Sequence, residues 1–174
     1  MNKQNVIKTE HPTLKHWLWL SLAILLLDQA SKWMVLLALE PYEVIALIPN
    51  VNLTLMFNEG AAFSFLAGAG GWQRWFFVGL ALVVSGVLVG WLRRLAPGER
   101  MQAAALALII GGAVGNLIDR ALLGHVVDFI QVWLPVLPLK IFNPWPAFNI
   151  ADSAITVGVV LLLIATLRSE TAPA

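Results

Sequence analysis

The stretch AFNIADSAITVGVVLLLIATL, residues 147 to 167, decides how the rest of the chain is read. From Val157 onward it is almost wholly apolar. Its length suits a helix crossing a ~30 Å hydrocarbon core, which takes about 20 residues. Yet its first turns carry Asn149, Asp152 and Ser153. A carboxylate at mid-bilayer costs roughly 2.5–3.5 kcal/mol on insertion scales, and acids inside spans are rare and usually functional. The stretch therefore reads as a membrane span whose leading end carries chemistry.

The whole chain supports a membrane setting. Of its 174 residues, 59% are hydrophobic and 12% charged, about half the charged share of a soluble domain. Apolar stretches at about 17–39, 72–92, 101–117 and 148–167 are the candidate spans, and no room remains for a separate soluble domain. The first span is too long for the apolar region of a cleaved signal peptide, holds Asp28 and Lys32, and lacks a small-x-small cleavage site. The absence of cysteine excludes disulfides, thiol nucleophiles and zinc–thiolate sites. His11, His16 and His125 form no HExxH pair, so no metal site is expected.

Charge sorting gives the orientation. Lys3, Lys8 and Lys15 lie in the N-terminal tail, Arg93, Arg94 and Arg100 between spans two and three, and Arg168 in the C-tail. The acids on the same side are Glu10, Glu99 and Glu170. The positive-inside rule then places both termini in the cytoplasm and the two longer connections outside. In the first of these, Val51, Leu53, Leu55 and Phe57 alternate with Asn52, Thr54, Met56 and Asn58. That period of two predicts a half-buried strand. With Val44 to Ile48 before Pro49-Asn50, a small extracytoplasmic β-sheet is expected within about 43–66. The second connection, 121 to 146, is apolar but interrupted by Pro135, Pro138, Pro144 and Pro146, and reads as an interfacial loop. Trp17, Trp19, Trp72, Trp75, Trp133 and Trp145 fit interfacial aromatic belts. The fold class expected is an all-α membrane protein, four transmembrane helices with a small outward sheet, as a single domain spanning 1–174.

Helical spacing brings polar residues together at one depth. Asp28 and Lys32 stand at i and i+4 near the outer end of span one. Asn116, Asp119 and Arg120 share a face at the outer end of span three, and Asn149, Asp152 and Ser153 repeat that spacing at the start of span four. Asp128 follows span three on the same side. Each has a plain structural reading. Asp28 and Lys32 suit a buried ion pair; Asp119 suits a scaffold group held charged by Arg120, Lys32 or outer water. Gly111, Gly112 and Gly115 suit close helix packing, Asn58 a turn, and His125 a surface site. The convergence weighs against scaffold roles for all of them, because several acids with few partners at one depth are costly for folding alone. Two carboxylates sharing a site split their proton affinities, so that one holds a proton while the other activates water. Ser31 and Lys32 are adjacent and do not face each other, and no GxSxG elbow exists, so a serine mechanism is disfavoured. A proton channel or small transporter, and a non-catalytic lipid-binding subunit, are the competing readings. Against the former, the acids gather at one depth and span two has none in its middle.

Five blocks, in order, carry a specific resemblance: DQASK at 28–32, NEGAAFSFL at 58–66, GGAVGNLIDR at 111–120, VVDF at 126–129 and AFNIADSAITVG at 147–158. Together they resemble the signature blocks of the bacterial lipoprotein signal peptidases, or signal peptidase II. The resemblance implies four transmembrane helices with an outward β-cradle, and an aspartic endopeptidase of the bacterial inner membrane with its site facing the periplasm. Such enzymes cleave diacylglyceryl-modified prolipoproteins just before the lipidated cysteine. The resemblance matches the catalytic pair to Asp128 and Asp152. It matches Asn58, Asn116, Arg120 and Asn149 to residues that position the peptide, and Asp28, Lys32 and Asp119 to residues that hold the site together. The partners implied are lipid-modified prolipoproteins and membrane lipid, without cofactor, metal, nucleic acid or second subunit.

A physical argument also favours Asp128 over Asp119 as the proton-holding acid. Asp119 shares a face with Arg120 and Asn116, whereas Asp128 lies among Val126, Val127, Phe129 and Ile130, where desolvation favours the neutral carboxyl. The segment from Gln131 to Pro146 is longer and richer in proline than the family pattern and predicts an extended interfacial loop. Residues 1 to 15 and 169 to 174 match no block.

Overall fold

The computed structural model describes residues 14–60, 70–135 and 143–170. Among the described residues, four helices are long and apolar enough to cross a membrane: α1 (Leu14–Ala38), α2 (Trp72–Leu92), α3 (Arg100–Leu122) and α4 (Ile150–Glu170). At 1.5 Å per residue the shortest, of 21 residues, extends about 31 Å. The protein is thus a multi-pass membrane protein. Helix α3 is the hub, packing against α1, α2 and α4. Over its most apolar window 56% of residues are buried, against 17–22% for the other three, whose free faces carry large apolar side chains such as Leu37, Val83 and Leu163.

Small residues let α3 approach its neighbours. A Cβ added at Gly111 would lie 2.6 Å from the Ser21 carbonyl oxygen of α1, and one at Gly112 would collide with the Ala151 carbonyl of α4. The packing reading of these glycines is therefore the geometry found. The Ser21 hydroxyl donates to the Ala107 carbonyl at 2.8 Å, tying α1 to α3 with a bond that water cannot contest in the bilayer.

Above one end of the bundle lies a three-stranded antiparallel sheet, in the order β1 (Val44–Ile48), β2 (Val51–Asn58), β3 (Val126–Val132). β1 and β2 close on Pro49-Asn50, where Asn50 takes φ 68°, a left-handed conformation that Asn tolerates. The sheet's inner face, Leu55, Val127 and Phe129, packs on Val35 and Leu39 at the C-terminal end of α1. Residues 61–66 of the expected sheet region lie outside the described residues.

β3 corrects one expectation. The connection 121–146 is not a loop throughout, because Val126–Val132 pairs with β2 from Asn58↔Val126 to Val51↔Val132. Its prolines begin only at Pro135, past the strand. The chain then returns to the strand, with Trp145 donating to the Val132 carbonyl at 2.8 Å and Phe148 bridging Ile130. This return covers the outer edge of β3 and leads directly into α4. The extended loop's residues 136–142 lie outside the described residues.

Candidate active site

The start of α4 shows why its first turns are polar. Asn149 stands just before the helix, and its side-chain oxygen accepts the Asp152 backbone N–H at 2.9 Å. Asp152 Oδ2 in turn accepts the Asn149 N–H at 3.2 Å. This reciprocal pair is a capping box built from Asn and Asp. A third free N–H, that of Ala151, donates to Asp28 Oδ1 at 2.9 Å. The cap also fixes the Asp152 carboxylate at the positive end of the helix dipole.

Beneath it lies a buried charge cluster. Lys32 Nζ is 2.8 Å from Asp28 Oδ2 and 2.8 Å from Asp119 Oδ2, and donates to Asn116 Oδ1 at 3.0 Å. Asp119 further accepts Gln29 Nε2 at 2.8 Å and the Val127 N–H at 3.1 Å. Gly115 is required here, since a Cβ on it would lie 2.5 Å from Asp28 Oδ2. The cluster joins α1, α3, α4 and β3 at one point. The ion pair expected between Asp28 and Lys32 is present. Of the partners considered for Asp119, it is Lys32 that neutralises it, not Arg120. The guanidinium of Arg120 turns the other way, donating to the Gly60 carbonyl at 2.8 Å and covering the Phe77 ring.

Asp128 and Asp152 stand apart from that cluster and face a common cleft of about 800 Å³. Asp128 Oδ1 accepts Asn149 Nδ2 at 2.7 Å and Oδ2 accepts Asn58 Nδ2 at 3.2 Å. Asp152 Oδ1 accepts Asn116 Nδ2 at 2.7 Å. No cationic side chain is bonded to either carboxylate among the described residues. Asp128 is only 3% exposed, and burial, reinforced by the Asp152 charge, pushes its carboxyl from the ordinary 3.8 up to about 7. The desolvation argument made from its apolar neighbours thus has its geometric basis in β3. A buried carboxyl able to keep its proton beside a capped, half-buried carboxylate has the chemistry that acid–base catalysis requires.

All nine residues singled out in the sequence converge. Asn58, Asn116, Arg120, Asp128 and Asp152 line the cleft, Asn149 links the two acids, and Asp28, Lys32 and Asp119 lie beneath. Ser31 does not join them, its hydroxyl donating to the Asp28 carbonyl of its own helix. His125 is half-buried against Phe57, and burial lowers its proton affinity. Three contributors escaped sequence reasoning. Gln29 bonds Asp119, and its signal was an amide inside a span that needs a partner. Gln131 and Trp145 also line the cleft, placed there by β3 and the return to its edge.

The chain is similar in sequence and fold to known proteins. The family model described as signal peptidase (SPase) II matches residues 20–168. A lipoprotein signal peptidase of Pseudomonas putida is 54% identical over 156 residues, covering 88% of each chain. Those of Pseudomonas paraeruginosa and Aeromonas hydrophila are 52% and 45% identical, covering 88% and 93% of this chain and 89% and 94% of their own. Two solved structures, each described as a bacterial membrane enzyme, superpose with TM-scores of 0.80 and 0.76 at 30% and 31% identity. They cover 92% and 91% of this chain, and 93% and 96% of their own.

Proposed function

The chain belongs to the signal peptidase II family, and from that premise we propose that Asp128 and Asp152 form the catalytic pair of an aspartic endopeptidase. It removes the signal peptide from diacylglyceryl-modified prolipoproteins, cutting the bond just before the lipidated cysteine. The single observation that carries the assignment is Asn149. Its amide bonds Asp128 while its backbone N–H bonds Asp152, so one residue holds two carboxyls on one cleft that bond no cation among the described residues.

The roles follow from the surroundings. Asp152, at the N-terminus of α4 and bonded to two N–H donors, is the carboxylate that takes a proton from water. The hydroxide adds to the scissile carbonyl carbon as Asp128 donates its proton to the carbonyl oxygen. When the C–N bond breaks, Asp152 returns its proton to the leaving cysteine amine and the tetrahedral hydroxyl returns one to Asp128. The balance is one water consumed, with a carboxylic acid and an amine formed. Asn58 and Asn149 orient Asp128, Asn116 orients Asp152, and Arg120 holds the Gly60 carbonyl beside the cleft. Lys32, Asp28 and Asp119 fix the helices that carry them.

The setting proposed is the bacterial inner membrane with the cleft facing the periplasm. Exposed Lys15, Arg93, Arg94, Arg100 and Arg168 support it, gathering at the helix ends opposite the site. The cleft continues along α4 past Ile155 and Val157, an apolar wall suited to acyl chains.

A pH–rate profile tests the reading. With Asp128 required as an acid, kcat/KM for a lipid-modified precursor falls as pH rises through about 7. A rate unchanged from pH 6 to 8.5 contradicts the assignment.

A further inference from the structure

Arg74, on the first turn of α2, reaches across to the turn that joins α3 to β3. Its Nη2 donates to the Ala121 carbonyl at 2.7 Å. That carbonyl belongs to the last turn of α3, where backbone oxygens lack helical partners and a cation is favoured. The guanidinium also lies against Gly124, where φ is +89° and an added Cβ would be 3.5 Å from Nη1. One face of the turn is thus covered by Arg74. The other end of the turn is held by the His125 ring on Phe57, 4.5 Å between centroids. Arg120 precedes this turn and Asp128 follows it, so its position sets how far those two groups stand from Asp152 on α4. Helix α2 packs chiefly on α3, and among the described residues it has no extensive packing against the sheet. Arg74 is therefore a polar link from α2 to the turn that leads into the strand carrying the acid.

We propose that Arg74 is a positioning residue for the hydrolysis, clasping the α3–β3 turn from α2 so that Arg120 and Asp128 meet Asp152 in register. The inference rests on the catalytic pair assigned above. A planar guanidinium can donate to Ala121 from one nitrogen while covering Gly124 with the other, which a lysine ammonium, a point donor, cannot.

The test is steady-state cleavage of a diacylglyceryl-modified precursor by the full-length enzyme in lipid, with Arg74→Lys and Arg74→Gln beside the wild type. Displacing a reacting group by about 1 Å costs on the order of 10²-fold, so Arg74→Gln is expected to lose about 10–100-fold in kcat and Arg74→Lys less. KM and the unfolding midpoint stay near wild type. Wild-type kcat in both variants overturns the proposal, as does a loss confined to KM or to thermal stability. If the glutamine variant does not fold, Arg74→Lys decides alone, and undiminished kcat in it refutes the role. Asp128→Asn runs in parallel: its inactivity secures the underlying assignment, so that a null result at Arg74 counts against Arg74 only. Cleavage surviving in Asp128→Asn overturns both.

Discussion

Replacing Asp128 by Asn should stabilise the protein at pH 8 while removing its activity. Raising a carboxyl from 3.8 to about 7 makes ionising it in the fold cost about 4 kcal/mol more than in the unfolded chain. Between those values the folded chain keeps a proton that the unfolded chain has lost, so stability falls as pH rises through the window and is flat above it. Asparagine has the same shape and never ionises. It offers one acceptor oxygen where Asp128 offers two to Asn149 and Asn58, a loss of about 1–2 kcal/mol. The net expectation at pH 8 is a gain on the order of 2 kcal/mol, or roughly 4–8 °C in unfolding midpoint for a chain of this size. At pH 5, where the wild type is protonated, the order levels or reverses. His125 titrates nearby with the opposite sign, because burial lowers its proton affinity, but it is present in both proteins and cancels in the difference. The assay is thermal unfolding of both proteins in the same detergent from pH 5 to 8. A variant less stable by the same amount at every pH would refute the reasoning, since that is how an anchoring carboxylate behaves.

Other outcomes follow from the same contacts. Lys32→Met leaves Asp28 and Asp119 buried without their cation, and should cost about 3–5 kcal/mol or more, read as a lowered unfolding midpoint. Gly115→Ala presses a Cβ to 2.5 Å from Asp28 Oδ2 and should lower stability by about 1–3 kcal/mol. Gly86→Ala in α2, with open space around it, should lose none and serves as the control in the same assay. A precursor lacking the diacylglyceryl group forgoes apolar burial along Ile155 and Val157, so its kcat/KM should fall sharply; equal cleavage of both precursors would remove that role from the cleft.

The sequence disclosed most of this through cost. Polar residues inside spans need partners, and helical spacing showed Asp28 with Lys32, Asn116 with Asp119 and Asn149 with Asp152 on shared faces. Spacing within a helix could not show which neighbour each would choose. Asp119 and Arg120 are adjacent, yet Asp119 binds Lys32 on α1 and Arg120 turns to Gly60. β3 was hidden for a different reason. VVDFIQV is buried through its first four residues, so it lacks the alternation that revealed β2, and the prolines beyond it drew the whole connection toward loop. The link between the two acids, through Asn149, needs the fold, because Asn149 touches Asp128 only once β3 lies beside α4.

The assignment of Asp128 and Asp152 meets its most direct test in one measurement. It is the initial rate of cleavage of a diacylglyceryl-modified precursor by purified wild type, Asp128→Asn, Asp152→Asn and Asp119→Asn, each checked for folding. The prediction is that Asp128→Asn and Asp152→Asn stay folded and lose at least about 10²-fold in rate, while the damage in Asp119→Asn appears first as lost stability. A folded, inactive Asp119→Asn beside an active Asp128→Asn would contradict it.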